Sequence, residues 1–164
     1  MPINIDKYKN TILYLANKLG GKIKGKKKLA KLLYFVDFDF FEKYEYSITG
    51  TTYKHLPIGP VPSELSEILE LLKNDGSLDV NIENLSVNLL PMEVYKAKRE
   101  SDTSVFERKE LEMLDRVISK YGGLNGGQLE QLSHAEAPFN ATKLGEEIPY
   151  ELSFYRETDF SVNA

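Results

Sequence analysis

Gly20-Gly21-Lys22-Ile23-Lys24-Gly25-Lys26-Lys27 fills the first seven positions of the phosphate-loop pattern G-x-x-x-x-G-K-[ST], so it is the first segment to test for chemistry. The eighth position fails. Lys27 stands where a Ser or Thr hydroxyl would hold magnesium, and the residues before Gly20 read as a helix where the motif needs a strand. Nucleotide hydrolysis is not expected from this segment. Its lysines need another account. Lys22, Lys24, Lys26, Lys27, Lys28 and Lys31 form a dense basic run in an otherwise acidic chain. At a helix start they oppose the helix dipole by about 0.3–1 kcal/mol each when exposed, so helix stability does not explain them. Ammonium groups beside free backbone donors suit a phosphate, a nucleic-acid backbone or an acidic protein surface, and a solvated face is the plain alternative.

The other chemistry-bearing residues are sparse. His55 and His134 are the two histidines, so a metal site would have to recruit Asp37 and Asp39, which stand two apart on a helix and point in different directions. No metal and no cofactor is expected. Ser133 and His134 are adjacent, so their side chains diverge and make no nucleophile–base pair with each other. There is no cysteine, hence no thiolate nucleophile and no disulfide framework. The residues therefore point away from an enzyme, although a hydrolytic site near either histidine stays open as an alternative. His134 is expected to bond a carbonyl in the proline-rich loop or the turn at Pro138, and His55 to do likewise. Tyr34, Tyr53 and His55 combine an aromatic body with a polar tip, which suits core or interface.

These groups must be positioned by a chain of 164 residues, 41% hydrophobic and 28% charged, with a net charge of -4. That is the size of one domain, and its charge argues against a wholly basic nucleic-acid coat. No run approaches the ~20 apolar residues of a membrane span and the start does not resemble a signal peptide, so a cytoplasmic location is expected. Asp6 is the expected N-cap of a first helix with Tyr8, Ile12, Leu15, Ala16 and Leu19 at helical spacing, stopped by Gly20-Gly21. Lys26 to Tyr44 is apolar on most sides, which predicts a buried helix at the centre of the core. Ser47 to His55 reads as a short extended segment. Three prolines between Leu56 and Pro62 predict a loop, with Pro62 opening a third helix that carries Leu65, Ile68, Leu69 and Leu72. After the turn at Asn74-Asp75-Gly76, alternation at Leu78, Val80 and Ile82 and again at Leu85, Val87 and Leu89 predicts a small antiparallel sheet, with Glu93 to Arg99 as a further strand. Leu111 to Tyr121 is helical, and Asn125 with Gln128 forms a capping box for a short helix. The expected fold is a mainly α-helical α+β single domain of five to six helices with a small antiparallel sheet.

Three segments together resemble a known family. Lys28-Leu29-Ala30-Lys31-Leu32-Leu33-Tyr34-Phe35-Val36-Asp37 resembles the opening helix motif of the Panacea domain, the SocA-like antitoxin domain of phage-associated proteins. Ile48-Thr49-Gly50 with Tyr53 and Gly59-Pro60-Val61-Pro62 resembles its second motif, and Leu132-Ser133-His134 with Pro138-Phe139 its last. The likeness runs over about residues 6 to 156. Phe139 stands where a tryptophan is frequent, which keeps the aromatic and loses the indole donor. The resemblance implies an antitoxin in a toxin–antitoxin system that neutralises a cognate protein toxin, expected to be encoded by the adjacent gene, by direct contact. It implies no catalytic residues. A protease adaptor and a nucleic-acid-binding regulator are the alternatives, the second disfavoured. The contact surface expected from the lysine run and the proline loop comprises Lys26, Lys27, Lys28, Lys31, Tyr53, His55, Gly59, Pro60, Pro62 and His134.

Overall fold

In the computed structural model, which describes residues 2–84 and 91–161, the elements run α1 (Ile5–Lys18), β1 (Lys22–Lys24), α2 (Lys26–Tyr44), β2 (Tyr53–Leu56), β3 (Gly59–Pro62), α3 (Leu65–Asn74), β4 (Leu78–Glu83), β5 (Met92–Ala97), α4 (Arg108–Tyr121), α5 (Gly126–His134) and α6 (Ala137–Asn140). Two 3-10 helices, Thr103–Val105 and Tyr150–Arg156, complete the order. The mainly helical α+β class and the small antiparallel sheet are as the sequence predicts. The stretch holding Leu85, Val87 and Leu89 lies outside the described residues.

α2 organises everything else. Every residue from Leu29 to Phe41 is buried, so the helix has no solvent face to spare and is ringed by α4, α5, β3 and the 3-10 helix Tyr150–Arg156. Aromatics fill the gaps. Phe35 stacks on Tyr121 with ring centroids 3.9 Å apart, and Phe38 meets Tyr53 and Tyr150 at 5.3 and 4.7 Å. Removing one such ring would leave a void, at about 3–5 kcal/mol for a Phe→Ala change.

Several local expectations are corrected. The cap of α1 is Asn4, whose Oδ1 accepts from the Lys7 amide at 3.0 Å, with Asp6 in the first turn instead. Lys22 to Lys24 form a strand, not a loop or a helix start. β1 is three residues long and only Ile23 points inward, too short an alternation to register in the sequence. The proline-rich stretch is also regular: β3 pairs with β2 in the register Tyr53↔Pro62, Lys54↔Val61, His55↔Pro60 and Leu56↔Gly59. Both prolines of β3 fall at alternate positions, so the missing donors occupy one edge and the two-residue Pro57-Ile58 loop closes a hairpin. Pro62 therefore ends a strand, and α3 starts at Leu65 behind Glu64, which takes a left-handed conformation at φ 65.

The main sheet has the order β1-β5-β4, all antiparallel. Ile23, Tyr95 and Val80 lie in one row on the face toward the helices, while Lys22, Lys96 and Asp79 lie in one row on the opposite face.

Candidate functional site

The three motif segments, far apart in the chain, meet along one side of α2. Lys31, Tyr34 and Asp37 follow one another at three-residue spacing, so they form a continuous stripe. Each reaches a different segment. Lys31 Nζ donates to the Pro60 carbonyl at 2.7 Å, and the Tyr34 hydroxyl donates to Glu136 Oε1 at 2.7 Å. Asp37 accepts from the Ile48 and Thr49 amides at 3.0 and 2.9 Å and from the Thr49 and Tyr53 hydroxyls at 2.6 Å each. Burial pushes the Asp37 carboxyl up to about 6, and the Thr49 and Tyr53 hydrogen bonds hold it back from going further.

Gly59 has to be glycine at this junction. Its φ is +107, and a Cβ there would lie 2.9 Å from Lys31 Cε and 3.0 Å from Ser133 Oγ. Gly59→Ala is expected to lose about 1–3 kcal/mol in urea unfolding, since strain and overlap act together. A loss below a few tenths would show that the hairpin can rotate away from α2.

The histidines frame the outer end of the stripe. Phe139 is sandwiched between His55 and His134, with ring centroids at 3.8 and 4.2 Å and interplanar angles of 22° and 9°. His55 Nδ1 lies 2.9 Å from Thr142 Oγ1, and that hydroxyl donates to the Pro138 carbonyl at 2.9 Å. The proton therefore sits on Nδ1 of His55, an assignment made from the network. The expected carbonyl bonds are corrected here. His55 bonds a hydroxyl, and His134 Nε2 is buried with no hydrogen-bond partner among the described residues, so stacking on Phe139 sets that ring.

A second polar network was not visible in the sequence. Asp39, eight residues beyond Lys31 on α2, pairs with Arg116 at 3.0 Å and with Arg156. Arg156 also reaches Glu42 at 3.0 Å and Glu136 at 3.3 Å, which joins this network to Tyr34. Burial favours the neutral form of Arg156, but the Asp39 and Glu136 carboxylates outweigh it and hold the guanidinium charged. The signal was present: two aspartates inside a run of apolar and aromatic residues must have partners if the run is buried. What the sequence could not name was the partner, because Arg156 lies in a segment without a period.

The expected contact surface is largely interior. Lys31, Tyr53, Gly59, Pro60 and Pro62 are buried, so they support a surface and do not form one. The basic run is divided among separate tasks: Lys26 bonds Ser66 Oγ at 2.7 Å, Lys27 pairs with Glu130 at 2.8 Å, and Lys28 donates to the Gly122 carbonyl at 2.7 Å. His55 and His134 are half-buried, and the large apolar side chains exposed nearby in the fold are Ile58, Leu132 and Leu144. Among the described residues, no three His, Asp or Glu side chains gather so as to hold a metal ion, and no helix is long and apolar enough to cross a membrane.

Lys31 makes a prediction of its own. Desolvation pushes its ammonium down to about 7, with Glu130 opposing and Lys27 reinforcing the shift. Between that value and the ordinary lysine range, the unfolded chain holds a proton that the folded chain has lost, so stability rises with pH. Lys28 is shifted in the same direction, also by burial. Urea unfolding from pH 7 to 9.5 should show stability rising by up to about 1 kcal/mol per pH unit, and Lys31→Met should flatten most of that slope. An unchanged slope in the variant would remove Lys31 as its source.

The domain is mainly helical, and its three separated motifs lock onto one central helix. The chain belongs to the antitoxin SocA-like family, Panacea domain, whose family model matches residues 29–139. That span starts in α2 and ends at Phe139, so it encloses the stripe, the hairpin and the histidine sandwich. No curated protein and no solved structure matches the chain.

Proposed function

We propose that this protein neutralises a cognate protein toxin by binding it directly and covering the surface through which that toxin acts. Membership of an antitoxin family is the observation that carries this reading. The structure supports it in physical terms. The polar stripe of α2 fixes the hairpin and the α5–α6 corner before any partner arrives, and a surface already in place loses less conformational entropy on binding than one that must order. The protein acts here as a binder, with Asp37, Asp39 and Lys31 engaged inside the fold and not offered to a substrate. Neutralisation then depends on shape and charge at the rim, with no turnover.

The test is growth of cells expressing the reading frame adjacent to this gene, with and without this protein, followed by co-purification of the two products. Rescue of growth together with a stable complex supports neutralisation by contact. Rescue without a complex, or a neighbour that does not impair growth and makes no complex, overturns it.

A further inference from the structure

The basic run that the sequence presents as one unit is split by the fold, and its outward-facing part gains lysines from elsewhere. Lys22 and Lys24 lie on one face of the main sheet, where Lys22 is directly opposite Lys96 of β5 while Val94, opposite Lys24 on the same face, is buried. Lys98 follows two residues beyond Lys96, so the same face carries it as well. Lys22, Lys24, Lys96 and Lys98 are all exposed. Within this cluster the ion pair found is Lys98 to Asp79 at 3.5 Å; Asp79 also lies directly opposite Lys96, and among the described residues Lys22, Lys24 and Lys96 close no ion pair.

Fold stability does not explain the arrangement. Like charges directly opposite on neighbouring antiparallel strands are destabilising. Lysines on β1 alone would be accounted for as protection of an edge strand, but Lys96 sits on β5, the central strand of the sheet, which has no edge to protect. Carboxylates are also plentiful in this acidic chain, yet the face sets four lysines against Asp79 and, one row beyond Asn81, Glu83.

We propose that the exposed lysines of this sheet face, Lys22, Lys24, Lys96 and Lys98, form the docking surface for an acidic segment of a partner protein. A protein fits better than a nucleic acid for two reasons. The rows Lys22-Lys96-Asp79 and Lys24-Val94-Asn81 contain no aromatic on which a base could stack, and single strands are held by such platforms. The patch is only three strands wide on a net acidic chain, whereas duplex binding needs a longer track of phosphate contacts. The proposal rests on the neutralisation reading only for which protein the partner is.

The full-length protein, titrated with a short poly-glutamate peptide and separately with a DNA duplex, tests the face itself. Amides of residues 22–24 and 94–98 should shift with the peptide, and Lys22→Glu with Lys96→Glu should weaken that binding about tenfold, whereas Lys120→Glu, the same charge change on α4, should leave it nearly intact. Lys22→Glu alone should raise the Tm by about 1–3 °C, because the introduced carboxylate faces Lys96, while still weakening the peptide. Equal weakening by Lys120→Glu, tighter binding of the duplex at the same amides, or a fall in Tm that tracks the lost binding would each overturn the proposal. Co-expression separates the two readings. If the unaltered protein neutralises its neighbour and Lys22→Glu/Lys96→Glu does so equally well, the face assignment fails alone; if the unaltered protein does not neutralise, the toxin reading fails while the peptide result stands.

Discussion

Asp37→Ala should lose about 3–5 kcal/mol, enough to leave much of the protein unfolded at 37 °C. The size follows from what the carboxylate holds. Four donors converge on it, two amides of the Ile48-Thr49 turn and the hydroxyls of Thr49 and Tyr53, and all of these groups are buried. With an alanine there, the two amides lose their acceptor at a depth where water cannot replace it, at about 1–3 kcal/mol for each unsatisfied group. Tyr53 is partly insured because its hydroxyl also lies 2.8 Å from the Leu33 carbonyl. Tyr53→Phe should therefore lose only about 1 kcal/mol, and Asp37→Asn, which keeps one acceptor oxygen, should fall between the two. Urea unfolding at pH 7, where a carboxyl near 6 is still mostly ionised, orders the three variants. An Asp37→Ala loss no larger than that of Tyr53→Phe would mean that the Ser47–Thr51 turn is held by other contacts.

The same residue shows how far the sequence could be read. The helix from Lys26 to Tyr44, the α3 stripe, the capping box at Asn125 and strand β4 are legible because each has a period or a cap, and those signals are local. The site is not local. Asp37 and Asp39 register as awkward charges in an apolar helix, but the turn that caps Asp37 and the arginine that neutralises Asp39 come from segments defined only by tertiary packing. The prolines of β3 misled for a related reason. Proline excludes an interior strand, yet a two-stranded hairpin has an outer edge where a missing donor does no harm. The lysines misled because charge in the sequence carries no direction: Lys31 ends fully buried against Pro60, while Lys96, absent from the run, comes to lie opposite Lys22. Family resemblance reached the right place by another route, since its three motifs are the segments that meet on α2.

The second large effect is expected at Arg156, beyond the span that the family model matches. Its guanidinium is almost fully buried and lies among Asp39, Glu42 and Glu136, with Thr158 closing the end through its amide to Glu42 at 2.7 Å. Arg156→Met preserves much of the volume and removes the charge, which leaves three carboxylates in a poorly solvated space where, among the described residues, Arg116 pairs with Asp39 alone. A loss of about 3–5 kcal/mol at pH 7 is expected, the usual consequence of removing one side of a buried ion pair. The pH dependence supplies the check. Without the arginine those carboxyls bind protons more readily in the folded chain than in the unfolded one, so the variant should regain stability as pH falls from 7 to 5 and the gap to the unaltered protein should narrow. Combining Arg156→Met with Asp39→Leu should recover part of the loss, since an apolar pair of similar volume removes the stranded charge. Tyr34 bonds Glu136, and Glu136 leads into α6, so the network also fixes the corner that carries Phe139. A loss below about 1 kcal/mol, or one that stays constant between pH 5 and 7, would mean that the C-terminal segment is held to α2 by its aromatic contacts alone.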